Sequence, residues 1–192
     1  AESAYTCKNT SFSSTSEFEL NDKNNIGLVL EYFRGNRGST SNSTVTNFLG
    51  DVFQNGFIQN LNTSTLNNTL GTNLFYKYYD KEKNKILDIN LGTNYNSDKG
   101  TTNFDRTDEN NLLAEQRFID NYSQNRNYFA KVDYTMPLGK GGSFELGGKA
   151  NFNHNVIPNN YRYFFNNGLE ADSYFFKYTE NINSLYANYS QT

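Results

Sequence analysis

Between Tyr128 and Asn153 the chain changes chemistry at every second residue, and this period of two constrains the fold more than any other feature. Tyr128, Ala130, Val132, Tyr134 and Met136 alternate with Phe129, Lys131, Asp133 and Thr135. Successive side chains of a strand point to opposite faces, so the first set forms a mostly apolar face and the second a mixed, largely polar one. After Pro137 and Leu138 comes the segment GKGG (139–142). Phe144, Leu146, Gly148, Ala150 and Phe152 then alternate with Glu145, Gly147, Lys149 and Asn151. Two antiparallel strands across a tight turn are the expected result.

The same pattern recurs along the chain. Phe18 and Leu20 precede a polar turn at 21–25, and Ile26, Leu28, Leu30 and Tyr32 share a face after it. Leu70, Thr72, Leu74, Tyr76 and Tyr78 are answered, across the turn DKEKN (80–84), by Leu87, Ile89, Leu91, Thr93 and Tyr95. The predicted hairpins cover about 10–36, 68–97 and 124–154, with a final strand at 173–191 whose facing stays open. Between them lie polar stretches (35–68, 96–123 and 155–172) rich in Asn, Ser, Thr and Gly, residues that favour loops; a short strand near Val52–Ile58 is the one element expected there. Short turns near residues 22, 82 and 140 thus alternate with predicted long loops. The predicted fold is all-β: an antiparallel up-and-down meander of about seven long strands in one section, short turns at one end and long loops at the other.

Composition excludes a helical membrane span and leaves two all-β classes open. Only 35% of the 192 residues are hydrophobic, while 16% are Tyr or Phe. Mean hydropathy is −0.80. No stretch approaches the roughly 18 apolar residues of a membrane helix. A membrane β-barrel stays open, because its strands hide their hydrophobicity by alternation. Strands of about 10 residues are long enough to cross a bilayer when tilted. Tyr32, Tyr76, Tyr78, Tyr95, Tyr128 and Tyr134 fall near the predicted strand ends, where amphipathic rings belong at headgroup level. A secreted or cell-surface β-sandwich binding glycans or proteins is the alternative, since the same alternation can build a core between two sheets. The net charge of −3 argues against a nucleic-acid partner.

No catalytic, cofactor or metal site is expected. GKGGS (139–143) has Lys140 before the glycine pair and a strand after it, unlike a phosphate-binding loop. His154 is the only histidine and is expected exposed in a loop, and Cys7 the only cysteine, near a frayed end. Asp98, Asp105, Asp108 and Glu109 could ligate Ca²⁺, but their spacing fits a solvated loop better. Asp88, Asp133 and Glu145 could pair as acid and base, but beside Lys77, Lys131 and Lys149 they read as a wet inner wall. Tyr161, Tyr163, Phe164 and Phe165 could form a ligand-stacking surface or pack the loop on itself.

One family shares these motifs. Asp133, Tyr134, Pro137 and Leu138 fit a D-Y-x-x-P-L strand ending, and Glu145, Gly147 (or Gly148) and Lys149 fit the returning strand. Tyr178, Glu180, Ile182 and Tyr186 fit a tyrosine-rich strand in which Ser184 stands where a small Ala is usual. In these features the chain resembles the outer-membrane β-barrel family of TonB-dependent receptor-type proteins of Gram-negative bacteria. The resemblance implies an internal barrel fragment without its plug, located in the cell outer membrane. It further implies lipid against one face, a nutrient ligand at the long loops, and a TonB partner reached only through other parts of a full-length transporter.

Overall fold

The computed structural model describes residues 2–110, 112–139, 141–165 and 168–191. Seven strands follow one another: β1 (Glu2–Asn21), β2 (Asn24–Leu49), β3 (Val52–Asp80), β4 (Lys85–Asp108), β5 (Leu113–Leu138), β6 (Gly142–Phe165) and β7 (Gly168–Gln191). Each pairs antiparallel with its sequence neighbours, in the spatial order β1 to β7. The sheet is open, with one unpaired edge on β1 and one on β7, so it is a partial barrel. Among the described residues there is no helix and no second sheet. The two-sheet core of a sandwich therefore has nothing to form against.

The hairpin turns stand where the alternation breaks. Asp22 and Lys23 separate β1 from β2, Lys81–Asn84 separate β3 from β4, and the 139–141 turn separates β5 from β6. Gly139 and Gly141 there have φ of 64° and 82°, values in the region that a Cβ disfavours. Lys140 lies outside the described residues.

The predicted long loops are not loops. Residues 35–49 and 52–69 continue β2 and β3 to a two-residue turn at Gly50 and Asp51, in register from Gly35↔Asn67 to Thr46↔Gly56. Segments 96–108 and 113–127 extend β4 and β5 in the same way, and 154–165 and 168–172 extend β6 and β7. The strands are accordingly 20 to 29 residues long rather than about 10. The physical reason is cross-strand pairing. Ser39 and Thr63 hydroxyls meet at 2.6 Å. Asn47 donates to Asn55 at 2.7 Å, Asn125 to Asn155 at 2.5 Å, and Asn127 to Asn153. Asn and Ser, loop formers in isolation, here act as rungs. The two ends of the sheet differ in how far the strands run past the apolar zone, while the turns are short at both.

Candidate lipid-facing band and ligand-facing surface

Register turns the separate alternations into two continuous faces. Phe18↔Ile26↔Tyr76↔Ile89↔Val132↔Gly148↔Leu185 is one row across all seven strands. The neighbouring row Ser16↔Leu28↔Leu74↔Leu91↔Ala130↔Ala150↔Asn183 points the same way. Leu28, Leu74, Leu91, Val132, Leu146 and Leu185 are all exposed, and Leu185 reaches 90%. Phe75 is the one buried hydrophobic residue among those described, and it sits on the opposite face. A soluble domain of this size would bury such a band to offset the entropy of ordering the chain.

Aromatic rings border the band. Phe12, Tyr32, Tyr95, Tyr128 and Phe152 mark one margin, and Phe18, Tyr76, Tyr78, Tyr134, Phe144 and Tyr189 the other. The six tyrosines expected near strand ends all lie on this face: Tyr76, Tyr78 and Tyr134 do sit near the ends of β3 and β5, whereas Tyr32, Tyr95 and Tyr128 lie inside the longer strands, at the other margin of the band. From Leu87 to Tyr95 is eight residue steps, about 26 Å of strand, or about 20 Å of height at a ~40° tilt. That height is close to the apolar belt of an outer-membrane barrel.

The other face is polar and laced with side-chain bonds. Lys131 and Asp133 pair at 2.6 Å. Asn73 donates to Asn90 at 3.3 Å, and Asn90 to Asp88 at 2.9 Å. The trio Asp88, Asp133 and Glu145 is dispersed among Lys131, Lys149 and amides on this wall, as mixed charge should be. Asp88 and Asp133 are cross-strand partners, while Glu145 lies opposite Thr135 and takes a 3.4 Å bond from Asn188. Three aromatic rings on this face occupy the space beside glycines of the adjacent strand: Phe75 at Gly27, Phe129 at Gly92 and Tyr186 at Gly147. A Cβ at any of the three glycines would collide with the ring. Tyr186 also donates its hydroxyl to Asp133. Asp133, Gly147 and Tyr186, drawn from three separate motif positions, thus form one contact across β5, β6 and β7.

The other sequence candidates separate. Cys7 lies within β1 opposite Arg37, not in a frayed end, and its Sγ is 3.6 Å from Asn9 Oδ1. His154 lies within β6 rather than in a loop, half-buried at the margin of the band, its Nδ1 3.1 Å from the Thr179 hydroxyl. Asp98 accepts from Asn67, Asp105 accepts from Gln116 at 2.8 Å on the opposite face, and Asp108 accepts the Asn110 and Leu112 amides of its turn. Glu109 is in that turn. Among the described residues no cluster of metal-ligating side chains forms.

Above the band, the polar face carries features that no sequence motif marked. Glu115, 2% exposed, is held by Arg106 at 3.2 Å and by Arg117. Arg117 lies between the rings of Phe104 and Tyr163, 5.3 Å from each centroid, and Arg106 lies 5.1 Å from Phe57. Tyr161, Tyr163 and Phe165 share this face, with Tyr163 stacked on Phe165 at 6.1 Å and Tyr161 on Tyr174 at 5.7 Å. Phe164 points the other way. Tyr174, Phe176 and Tyr178 follow on β7, and Phe176 and Tyr178 lie 5.5 Å apart. The alternation that would reveal this surface is present in the sequence, but both faces there are polar or aromatic, so no hydrophobic contrast announces it.

A family profile described as the outer membrane protein beta-barrel family matches residues 77–192. No curated protein matches the chain. Among solved structures, the ferric yersiniabactin uptake receptor FyuA from Yersinia pestis is similar at 12% identity and a TM-score of 0.45. The similarity covers 94% of this chain and 35% of the receptor, so the chain spans about a third of that protein's length. With the family profile covering more than half of the residues, the chain belongs to the outer membrane protein β-barrel family, and its place is the outer membrane.

Proposed function

We propose that this chain forms part of the wall of an outer-membrane receptor barrel that takes up a nutrient. The apolar band meets lipid, the polar face lines the lumen, and the long hairpins stand on the ligand side. The observation that carries this reading is the band itself: mostly apolar rows, exposed or half-exposed, crossing the sheet and bordered by aromatics, with nothing packed on them among the described residues. The lopsided extension of the strands past the band supports the orientation, since barrels of this kind keep short turns on the periplasmic side and elaborate the outer side. Energy for uptake would come through TonB by way of parts of the protein outside these residues.

Arginine scanning in the full-length protein tests the assignment of faces. Leu91 lies at mid-band and Asn90 on the opposite face of the same strand. Leu91→Arg is expected to cost about 2–4 kcal/mol of stability in lipid, and Asn90→Arg far less. Equal costs, measured by reversible unfolding from liposomes, would refute the lipid-facing role.

A further inference from the structure

The outward face changes character just beyond the aromatic margin that borders the long hairpins. On β2 the first outward-facing residue past Tyr32 is Arg34, and on β5 the first past Tyr128 is Arg126. On β1 and β4 a cation takes the second such position, Lys8 past Phe12 and Lys99 past Tyr95, and on β6 His154 takes the first past Phe152. Two to four residue steps at a ~40° tilt put these groups about 5–10 Å of height beyond the rings. That is the headgroup level of a bilayer whose hydrocarbon ends at the rings.

The belt holds one sign of charge. Over the first three outward positions past the margin, the described residues of β1 to β7 include no carboxylate. Asp120, the first carboxylate met on β5, stands farther out and is already 3.6 Å from Arg162. At the opposite margin of the same face the outward charges are Asp80 and its cross-strand partner Lys85, which cancel. The whole chain carries a net charge of −3, so a general excess of cations is not the cause.

Arg34, Lys99 and Arg126 are exposed, and among the described residues none of them enters an ion pair. Arg126 lies 5.9 Å from the centroid of the Tyr95 ring, which keeps its guanidinium at the margin. β2, β4 and β5 each have a paired strand on both sides, so this exposure does not arise from an edge of the sheet. Closing the barrel adds strands beside β1 and β7 and leaves the outer surface of these three uncovered. Cations at this depth meet lipid headgroups and select anionic ones, and the planar fork of Arg matches the oxygens of a phosphate. Resting on the assignment of the apolar band to lipid, we infer that the cations of the hairpin-side margin form a girdle that binds the phosphates of anionic lipid in the leaflet on that side.

The test uses the full-length protein in a neutral maltoside detergent, with bound lipid counted by native mass spectrometry. Phosphatidylglycerol is titrated against phosphatidylcholine of the same acyl chains. Preferential retention of phosphatidylglycerol is expected, weakening as salt rises. The variant Arg34→Gln/Lys99→Gln/Arg126→Gln should lose about tenfold in that preference, and Arg34→Lys/Arg126→Lys should keep most of it. Arg37→Gln/Lys77→Gln/Lys149→Gln removes the same charge from the opposite face and should leave the preference intact. Equal retention of the two lipids by the wild type, or equal losses in the two glutamine variants, would overturn the inference. So would displacement by inorganic phosphate at the concentration of the lipid, because a free anion would then suffice. The arginine scan reads the middle of the band and this titration reads its margin; unequal scan costs with no lipid preference would sink the girdle alone, and equal scan costs the assignment of faces.

Discussion

At the scale of single residues, the sheet is held by contacts that reach across three strands. Gly147 is the clearest case, because its missing Cβ is the space that the Tyr186 ring fills on its way to Asp133. Gly147→Ala is expected to destabilise the protein by about 1–3 kcal/mol through overpacking. In a Tyr186→Ala background the same change should cost less, since the ring is gone and only the Asp133 carboxylate oxygen, the end of a side chain that can turn away, stays close to the new Cβ. A double-mutant cycle by unfolding in detergent reads this coupling, and additive costs would argue against it. A second such contact ties two turns together. Asp80, 2% exposed, is paired with Lys23 at 3.1 Å and accepts the Glu82 and Lys83 amides at 3.1 Å each, while Tyr79 N–H donates to the Lys23 carbonyl at 2.8 Å. Burial pushes the Asp80 carboxyl up, but the Lys23 ammonium, the Lys83 amide and the Tyr78 hydroxyl together outweigh it and hold the group below the usual carboxylate value. The Lys23 ammonium is correspondingly raised, chiefly by its hydrogen bond to Asp80. A carboxyl depressed in the folded state stabilises above the unfolded value of about 4 and loses that contribution as pH falls through the folded value. The wild type should therefore exceed Asp80→Asn in thermal stability at neutral pH and converge with it on acidification; a constant gap from pH 7 to pH 3 would count against the clamp.

At the scale of elements, alternation was legible where one face is apolar and illegible where both are polar. Leu87 to Tyr95 contrasts with Asp88 to Asn94, and the sequence places that strand and its partner correctly. Ser39, Thr40, Ser41 and Asn42 offer no contrast between faces, so their strand can be seen only once Thr63, Asn62, Leu61 and Asn60 stand opposite them. Intrinsic preference for loops was overridden by ladder hydrogen bonds and rungs such as Ser39–Thr63. The extended hairpins make a measurable claim: amides in 36–46 and 57–68 should be slowed in hydrogen exchange well beyond those of an open loop. Exchange at loop rates across both segments would restore the earlier expectation. The tip of this hairpin is apolar, with Phe48 edge-on to Phe53 at 6.1 Å and Leu49 and Val52 exposed beside the turn.

At the scale of the whole molecule, the balance between faces follows from what each must meet. One face presents a belt about 20 Å high with no packing partner among the described residues, and the other presents ion pairs, amides and rings set against glycines. The open edges of β1 and β7 cannot face hydrocarbon unpaired, because each free N–H and C=O there would lack a partner, so in the bilayer other strands must complete the wall. The residues of the band were readable in advance, strand by strand, because a period of two needs only the order of apolar and polar side chains. The positions of the turns at 22–23, 81–84 and 139–141 were readable for the same reason, from the break in that order and from glycine. Only the tertiary structure could join seven separate alternations into one belt, extend the strands through polar segments, and bring Asp133, Gly147 and Tyr186 or Arg106, Glu115 and Arg117 together. Those outcomes depend on register between strands, and register is a relation among distant residues that no local pattern contains.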